Sequence, residues 1–145
     1  MSKSNTFEND LLKLIFNNTT MSLVGDATGI VGSGVAGSLY VSLHTADPGE
    51  AGDQTTNEVA YTSYARVAVA RSGAGFTVTG SAVAPAGNIG FPAGTGGSGT
   101  ATHWGIGASS SGVGKLLYKG AISPSIVCGN GVTPSLTAGT VVTED

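Results

Sequence analysis

The chain is poor in charge, in aromatic side chains and in cysteine. Of its 145 residues, 10% are charged and 6% are aromatic, and Cys128 is its one cysteine. A single cysteine excludes an intrachain disulfide and a cysteine-cluster metal site. Soluble domains carry about 25% charged residues on average, so the surface of this protein is weakly charged. Such a surface fits either an ordinary β domain or a subunit that is largely covered within an assembly.

Basic residues are also few. The six that are present are scattered along the chain and are outnumbered by nine acids. Without a basic stripe we expect no nucleic-acid binding. No apolar run approaches the roughly 20 residues that cross a bilayer, so we expect no membrane partner. The opening residues MSKSNTFEND lack the apolar core of a secretory signal, which predicts assembly in the cytoplasm.

Residues 5 to 18 are the one helix candidate. Asn5, with Glu8 three positions later, predicts an N-cap with a capping box. Four apolar residues follow at helical spacing and form one stripe: Phe7, Leu11, Leu14 and Ile15. A helix of this length is marginal alone in water. The stripe must therefore pack on the chain's own β domain or on a neighbouring subunit.

A glycine-rich stretch, GDATGIVGSGVAGS, occupies residues 25–38. We interpret it as a linker. Its run from Gly32 to Gly37 formally matches the GxGxxG pattern of dinucleotide sites. No apolar strand leads directly into the run and no amphipathic helix follows it, so no nucleotide cofactor is predicted. The expected division is a helix or arm at 1–24, a linker at 25–38 and a β domain at 39–145.

From Leu39 onward the pattern is of short β segments separated by turn residues. Expected strands are 39–44, 64–71, 74–79, 81–85, 101–108 and 115–123, with two or three more between 125 and 143. This predicts a mostly β fold: an antiparallel β-sandwich or jelly-roll-like domain with one N-terminal helix or arm.

Residues that could carry chemistry do not converge in the sequence. The two histidines, His44 and His103, lack the spacing of a zinc site, and the loop 47–53 lacks the DxDxDG order of a calcium site. There is no GxSxG motif and no evident carboxylate pair for glycoside hydrolysis. We predict no catalytic residue, no metal and no cofactor. Asp47 is interpreted as the cap of the Pro-Gly turn that follows it.

The stretch LYVSLHTADPG at residues 39–49 precedes Glu58-Val59 and Tyr64-Ala65-Arg66. This order resembles the LYVxLHTxDPG, EV and GYAR pattern of a family of bacteriophage virion proteins, with Ser63 where that pattern usually has glycine. The family includes capsid decoration or head-fibre proteins and minor tail or tail-fibre proteins. Three later segments are also similar to it: NIGFP at 88–92, LLYKGAI at 116–122 and TPSLTAGT at 133–140.

The resemblance implies a non-enzymatic virion structural protein. We expect it on the capsid surface, as a homo-oligomer, by resemblance a trimer, that is assembled in the host cytoplasm and binds the lattice of the major capsid protein. One alternative is a tail-fibre or minor tail component. Another is a carbohydrate-binding β module, which the shortage of aromatic residues disfavours.

Five residues are candidates for contacts between subunits: Phe7, Leu11, Leu14, Ile15 and Arg66. The first four are the apolar stripe of the helix. Arg66 either pairs with Glu58 across a hairpin or forms half of an ion pair between protomers.

Overall fold

The computed structural model describes residues 2–144. They form the helix α1, Asn5–Asn17, and nine strands. In chain order the strands are β1 Ser38–His44, β2 Val67–Ala70, β3 Phe76–Thr79, β4 Ala82–Pro85, β5 Ile89–Gly90, β6 Ser98–Gly107, β7 Leu116–Gly129, β8 Ser135–Leu136 and β9 Val142–Thr143. The strand order is β2-β1-β6-β7 in one sheet, β3-β4-β9 in a second and β5-β8 in a third.

The expected fold class is confirmed: the protein is mostly β, with antiparallel sheets and one N-terminal helix, consistent with a β-sandwich. The largest difference from the expected strands is β7, which continues to Gly129 rather than ending near residue 123. The two-residue strand β5 was not expected, because two residues carry too little alternation to be recognised. No helix within residues 2–144 is long and apolar enough to span a membrane.

The chain forms two compact units, each assembled from separate stretches of sequence. The first contains the residues up to Ser38, Val69–Asn88 and the residues from Thr137 onward. The second contains Leu39–Ala68 and Ile89–Leu136. Packing within the whole chain does not test which segments fold alone, so the expected division at residues 24 and 38 stays a prediction.

Capping residues define both ends of α1. Ser4 is the N-cap, and its side-chain oxygen accepts a hydrogen bond from the Phe7 N–H at 3.4 Å. The expectation that Asn5 is the cap is wrong by one residue, because Ser4 has the extended backbone that a cap adopts while Asn5 is already helical. At the other end Asn18 has a φ of 57°, the left-handed conformation that commonly ends a helix.

The helix packs into the core of the first unit through one face. Leu12 and Phe16 are fully buried, and Phe16 meets Phe76 of β3 edge-on, with ring centroids 5.0 Å apart. The expected stripe lies about a third of a turn away from this face. Its members are half-buried except for Phe7, which is 42% exposed: Phe7, Leu11, Leu14 and Ile15. The helix therefore buries one apolar side and leaves a second one partly open.

The second unit is built around the pairing of β1 with β6 and of β6 with β7. Leu43 lies opposite Trp104 in the β1–β6 register, and Ser42 lies opposite Gly105. The apolar side chains of this pair are buried, as the alternation in β1 predicted, while β1 also buries polar residues on its other face. Those polar residues begin the candidate functional site.

Candidate functional site: a buried polar network and the loops that it holds

An ion pair lies at the centre of the polar network in the second unit. The Arg66 guanidinium donates from Nε and Nη2 to the two carboxylate oxygens of Glu58, at 2.7 and 2.8 Å. The Arg66 side chain is 2% exposed. The Tyr64 hydroxyl donates to Glu58 at 2.9 Å and accepts from the Leu43 N–H at 3.1 Å. The carboxylate raises the pKa of Arg66, and burial raises the pKa of Tyr64.

The remaining Arg66 hydrogen bonds hold a loop, residues 108–115, which we call the serine loop. Arg66 donates from Nη1 to the Ser109 carbonyl at 3.0 Å and from Nη2 to the Gly112 carbonyl at 2.9 Å. A buried guanidinium whose donors reach fixed acceptors is held rigidly. The expected pairing of Arg66 with Glu58 is therefore confirmed. The expected hairpin is wrong, because Arg66 precedes β2 rather than lying in a strand and Glu58 bridges to His44 of β1, and the Arg66 side chain is buried rather than on a sheet surface.

Gln54 is the second anchor of the serine loop. Its side chain is fully buried, its Oε1 accepts from the Ser109 N–H at 2.9 Å, and its backbone N–H donates to the Gly114 carbonyl at 3.0 Å. A Cβ atom on Gly107 would lie 2.2 Å from Gln54 Cδ, so that position has room for glycine alone. Sequence reasoning missed Gln54, because a glutamine in a polar loop is ordinarily exposed.

His44 holds residues 45–58, a loop that contains part of the LYVSLHTADPG motif and that we call the motif loop. Its Nδ1 lies 2.8 Å from the Thr56 carbonyl, and its Nε2 lies 2.8 Å from the Ser42 hydroxyl. A carbonyl only accepts, so Nδ1 carries the proton and Nε2 accepts from Ser42. Burial lowers the pKa of His44, which favours this neutral form.

The Ser42–His44 contact has the spacing of a nucleophile and its base. Both side chains are fully buried, however, and Gly105 lies directly over them. A Cβ atom on Gly105 would lie 2.8 Å from His44 Nε2 and 2.9 Å from the Ser42 hydroxyl. The arrangement leaves no space for a substrate at this pair and instead fixes the motif loop to β1.

The turn at Asp47 has the geometry expected from its sequence. The Asp47 carboxylate accepts from the Gly49 N–H at 2.8 Å and pairs with Lys119 of β7 at 2.9 Å. These two contacts, in that order, lower the pKa of Asp47. Within residues 2–144 no group of three or more histidine, cysteine, aspartate or glutamate side chains is arranged to hold a metal ion.

Ser63 occupies the position where the resembling pattern has glycine. Its φ is 80°, a backbone conformation that glycine adopts without cost and other residues rarely adopt. Its hydroxyl lies 2.6 Å from that of Thr95, a contact that glycine could not make. The departure from the pattern therefore leaves the local turn in place.

A different kind of loop lies in the first unit, at residues 19–37, and we call it the apolar loop. Met21 and Ile30 exchange two backbone hydrogen bonds within it. The side-chain amide of Asn18 bonds both backbone groups of Ser33, at 2.7 and 2.8 Å. Arg71 donates to the Ser33 hydroxyl and to two carbonyls at the end of α1, those of Leu14 and Ile15. This stretch has a linker-like composition but a hydrogen-bonded backbone.

Of the five candidate interface residues, four lie on the partly open side of α1 in the first unit. The fifth, Arg66, lies inside the second unit, with its donors taken up by its own chain. Whether the five residues contact other subunits stays a prediction.

No curated protein matches the chain. Residues 2–144 match the family described as podophage GP4 fiber I protein gp80. The match covers the helix, the apolar loop and both units. This supports the resemblance of the chain to bacteriophage virion proteins. The chain belongs to this family of podophage fibre proteins.

Proposed function

We propose that this chain is a non-enzymatic subunit of a podophage virion fibre and acts as a homo-oligomer. The observation that carries the proposal is the match over residues 2–144 to a fibre family. The polar network supports it, because the network satisfies its own hydrogen bonds and fixes two loops rather than presenting reactive groups. Such a network gives a rigid β scaffold on which contacts with other proteins can be built.

The partly open side of α1 is our proposed contact with the rest of the virion. Phe7 is the most exposed member, and Leu11, Leu14 and Ile15 are half-buried beside it. Apolar side chains at this spacing are the usual anchors of a helix against a groove. Arg66 is not part of this proposal, because it is buried within its own unit.

Capsid decoration is the second candidate, with the lattice of the major capsid protein as partner. The observation that favours it is the low charge content, 10% of residues, which suits many identical weak contacts across a lattice.

The location and copy number on the virion separate the two candidates. Purified particles should be split into heads and tails, and the protein quantified in each by gel densitometry against the major capsid protein. A fibre subunit should be present far below the capsid protein. A copy number comparable to that of the capsid protein, retained on tailless heads, would overturn the fibre proposal in favour of decoration.

A further inference from the structure

The apolar loop exposes five large aliphatic side chains: Leu23, Val24, Ile30, Val31 and Val35. Leu23 is 81% exposed and Val35 is 84% exposed, so these two side chains make few contacts within the chain. Single exposed aliphatic residues are ordinary on a protein surface. Five of them within the nineteen residues of one loop are typical of a contact surface.

The backbone of this loop is held in place before any partner arrives. Met21 pairs with Ile30, the Asn18 amide bonds Ser33 on both sides, and the Arg71 N–H donates to the Gly37 carbonyl at 3.1 Å. A surface that is already ordered loses little conformational freedom on binding, which favours association. Gly32 serves this packing, since a Cβ atom there would lie 2.3 Å from the Asn18 carbonyl oxygen.

Charge indicates what the loop can bind. Asp26 is the only ionisable residue between 19 and 37, and its carboxylate is engaged by the N–H groups of Thr28 and Gly29. The chain as a whole has a net charge of −3. Two identical acidic chains repel wherever their acids face each other, so they meet most favourably through an uncharged surface. The same loop on another copy is apolar, so it can cover the exposed aliphatic side chains. It is also nearly uncharged, so it does not bring acids of the two copies together.

We propose that the apolar loop is the self-association surface of this protein, and that its occupant is the apolar loop of a neighbouring copy. This rests on the proposed function, which requires a homo-oligomer. Small residues between the aliphatic ones allow the backbones of neighbouring copies to approach closely. Association around a closed symmetry axis would bury the five side chains together.

The test compares two valines with nearly equal exposure. Val35 lies in the apolar loop, and Val113, 80% exposed, lies in the serine loop of the second unit. The full-length chain and its V35E and V113E variants should be compared by sedimentation over a range of concentrations. V35E should raise the dissociation constant of the oligomer by about tenfold or more, because a buried charge would then face its own copy. V113E should associate like the parent chain.

A second variant, L23E, tests the other end of the loop and should weaken association in the same way. Because both side chains are exposed in the single chain, the circular dichroism spectra of the variants should match that of the parent chain. Thermal unfolding should match that of the parent chain at concentrations where both are monomeric. If V113E weakened self-association as much as V35E does, the proposal would be overturned, since an added acid anywhere on the surface would then weaken association. If the oligomer persists in both V35E and L23E, the apolar loop is not the self-association surface, but the proposed function as a homo-oligomer is unaffected. A parent chain that stays monomeric at every concentration would overturn both.

Discussion

Arg66 and Arg71 each fix a glycine-rich loop by donating to oxygen atoms of the chain, but in different surroundings. Arg66 is buried in the second unit against the Glu58 carboxylate. Arg71 is half-buried in the first unit, and its guanidinium bonds go to neutral oxygens: two helix carbonyls and the Ser33 hydroxyl. The first arginine is held by charge, while the second completes the hydrogen bonding of a helix end.

The contrast shows that similar loops can depend on the core to different degrees. Removing Arg66 would leave a carboxylate that is 17% exposed without its counter-charge and would free two loop carbonyls. Removing Arg71 would leave only neutral carbonyls, near enough to the surface for water to replace the lost donors. Loss of the contacts that hold the serine loop should therefore lower the stability of the whole fold. Loss of those that hold the apolar loop should disturb only the order of that loop.

The largest expected effect is that of Arg66→Met. We expect a loss of about 3–5 kcal/mol in the free energy of unfolding, because one partner of a buried pair is removed. Urea unfolding measures it. Lys119→Met is the matched control, since it removes a cation from an exposed pair in the same unit and should change stability little. If the two variants proved equally stable, Arg66 would not be the anchor of the serine loop.

The next effect is that of Arg71→Met, which should lower the free energy of local opening of the apolar loop by about 1.5–3 kcal/mol, because charged hydrogen bonds are lost. Native-state hydrogen exchange should show where this loss lies. The N–H of Ile30, which donates to the Met21 carbonyl, should exchange faster in this variant. The Ser109 N–H, which Gln54 holds, should be unchanged. Faster exchange of both groups would contradict the separate coupling of the two loops.

The smallest effect concerns pH and the motif loop. The pKa of His44 is lowered in the folded protein, so the unfolded chain binds the proton more readily. The stabilising contribution is complete above the unfolded value, near 6.5, and is lost as pH falls through the lowered folded value, by at most about 1.4 kcal/mol per pH unit. Urea unfolding at successive pH values measures this slope. His44→Gln should flatten it, and an unchanged slope would assign the pH dependence to other groups.

The local sequence pattern was sufficient to predict the elements that are stabilised by contacts between residues close together in the chain. Alternation in residues 39–44 predicted β1, and the spacing of apolar residues between Phe7 and Ile15 predicted α1. The Asp-Pro-Gly turn and its cap followed from turn chemistry. Each of these depends on contacts within a few residues, which are visible in the sequence.

The buried face of α1 and the role of Gln54 depended on contacts distant in sequence. Leu12 and Phe16, rather than the expected stripe, face the core because β3 supplies Phe76 there. Gln54 is buried because two glycines from distant segments leave room for its side chain. No local sequence pattern indicates either the buried face of α1 or the burial of Gln54.

By itself, the sequence determined the fold class, the helix and the resemblance to bacteriophage virion proteins, and it predicted the Glu58–Arg66 pair as one of two alternatives. Tertiary structure alone decided which polar residues are buried together and that the glycine-rich residues 19–37 have an ordered backbone with aliphatic side chains exposed. The physical reason is that burial and hydrogen-bond satisfaction depend on segments far apart in the chain, such as Asn18 with Ser33 and Arg66 with Ser109.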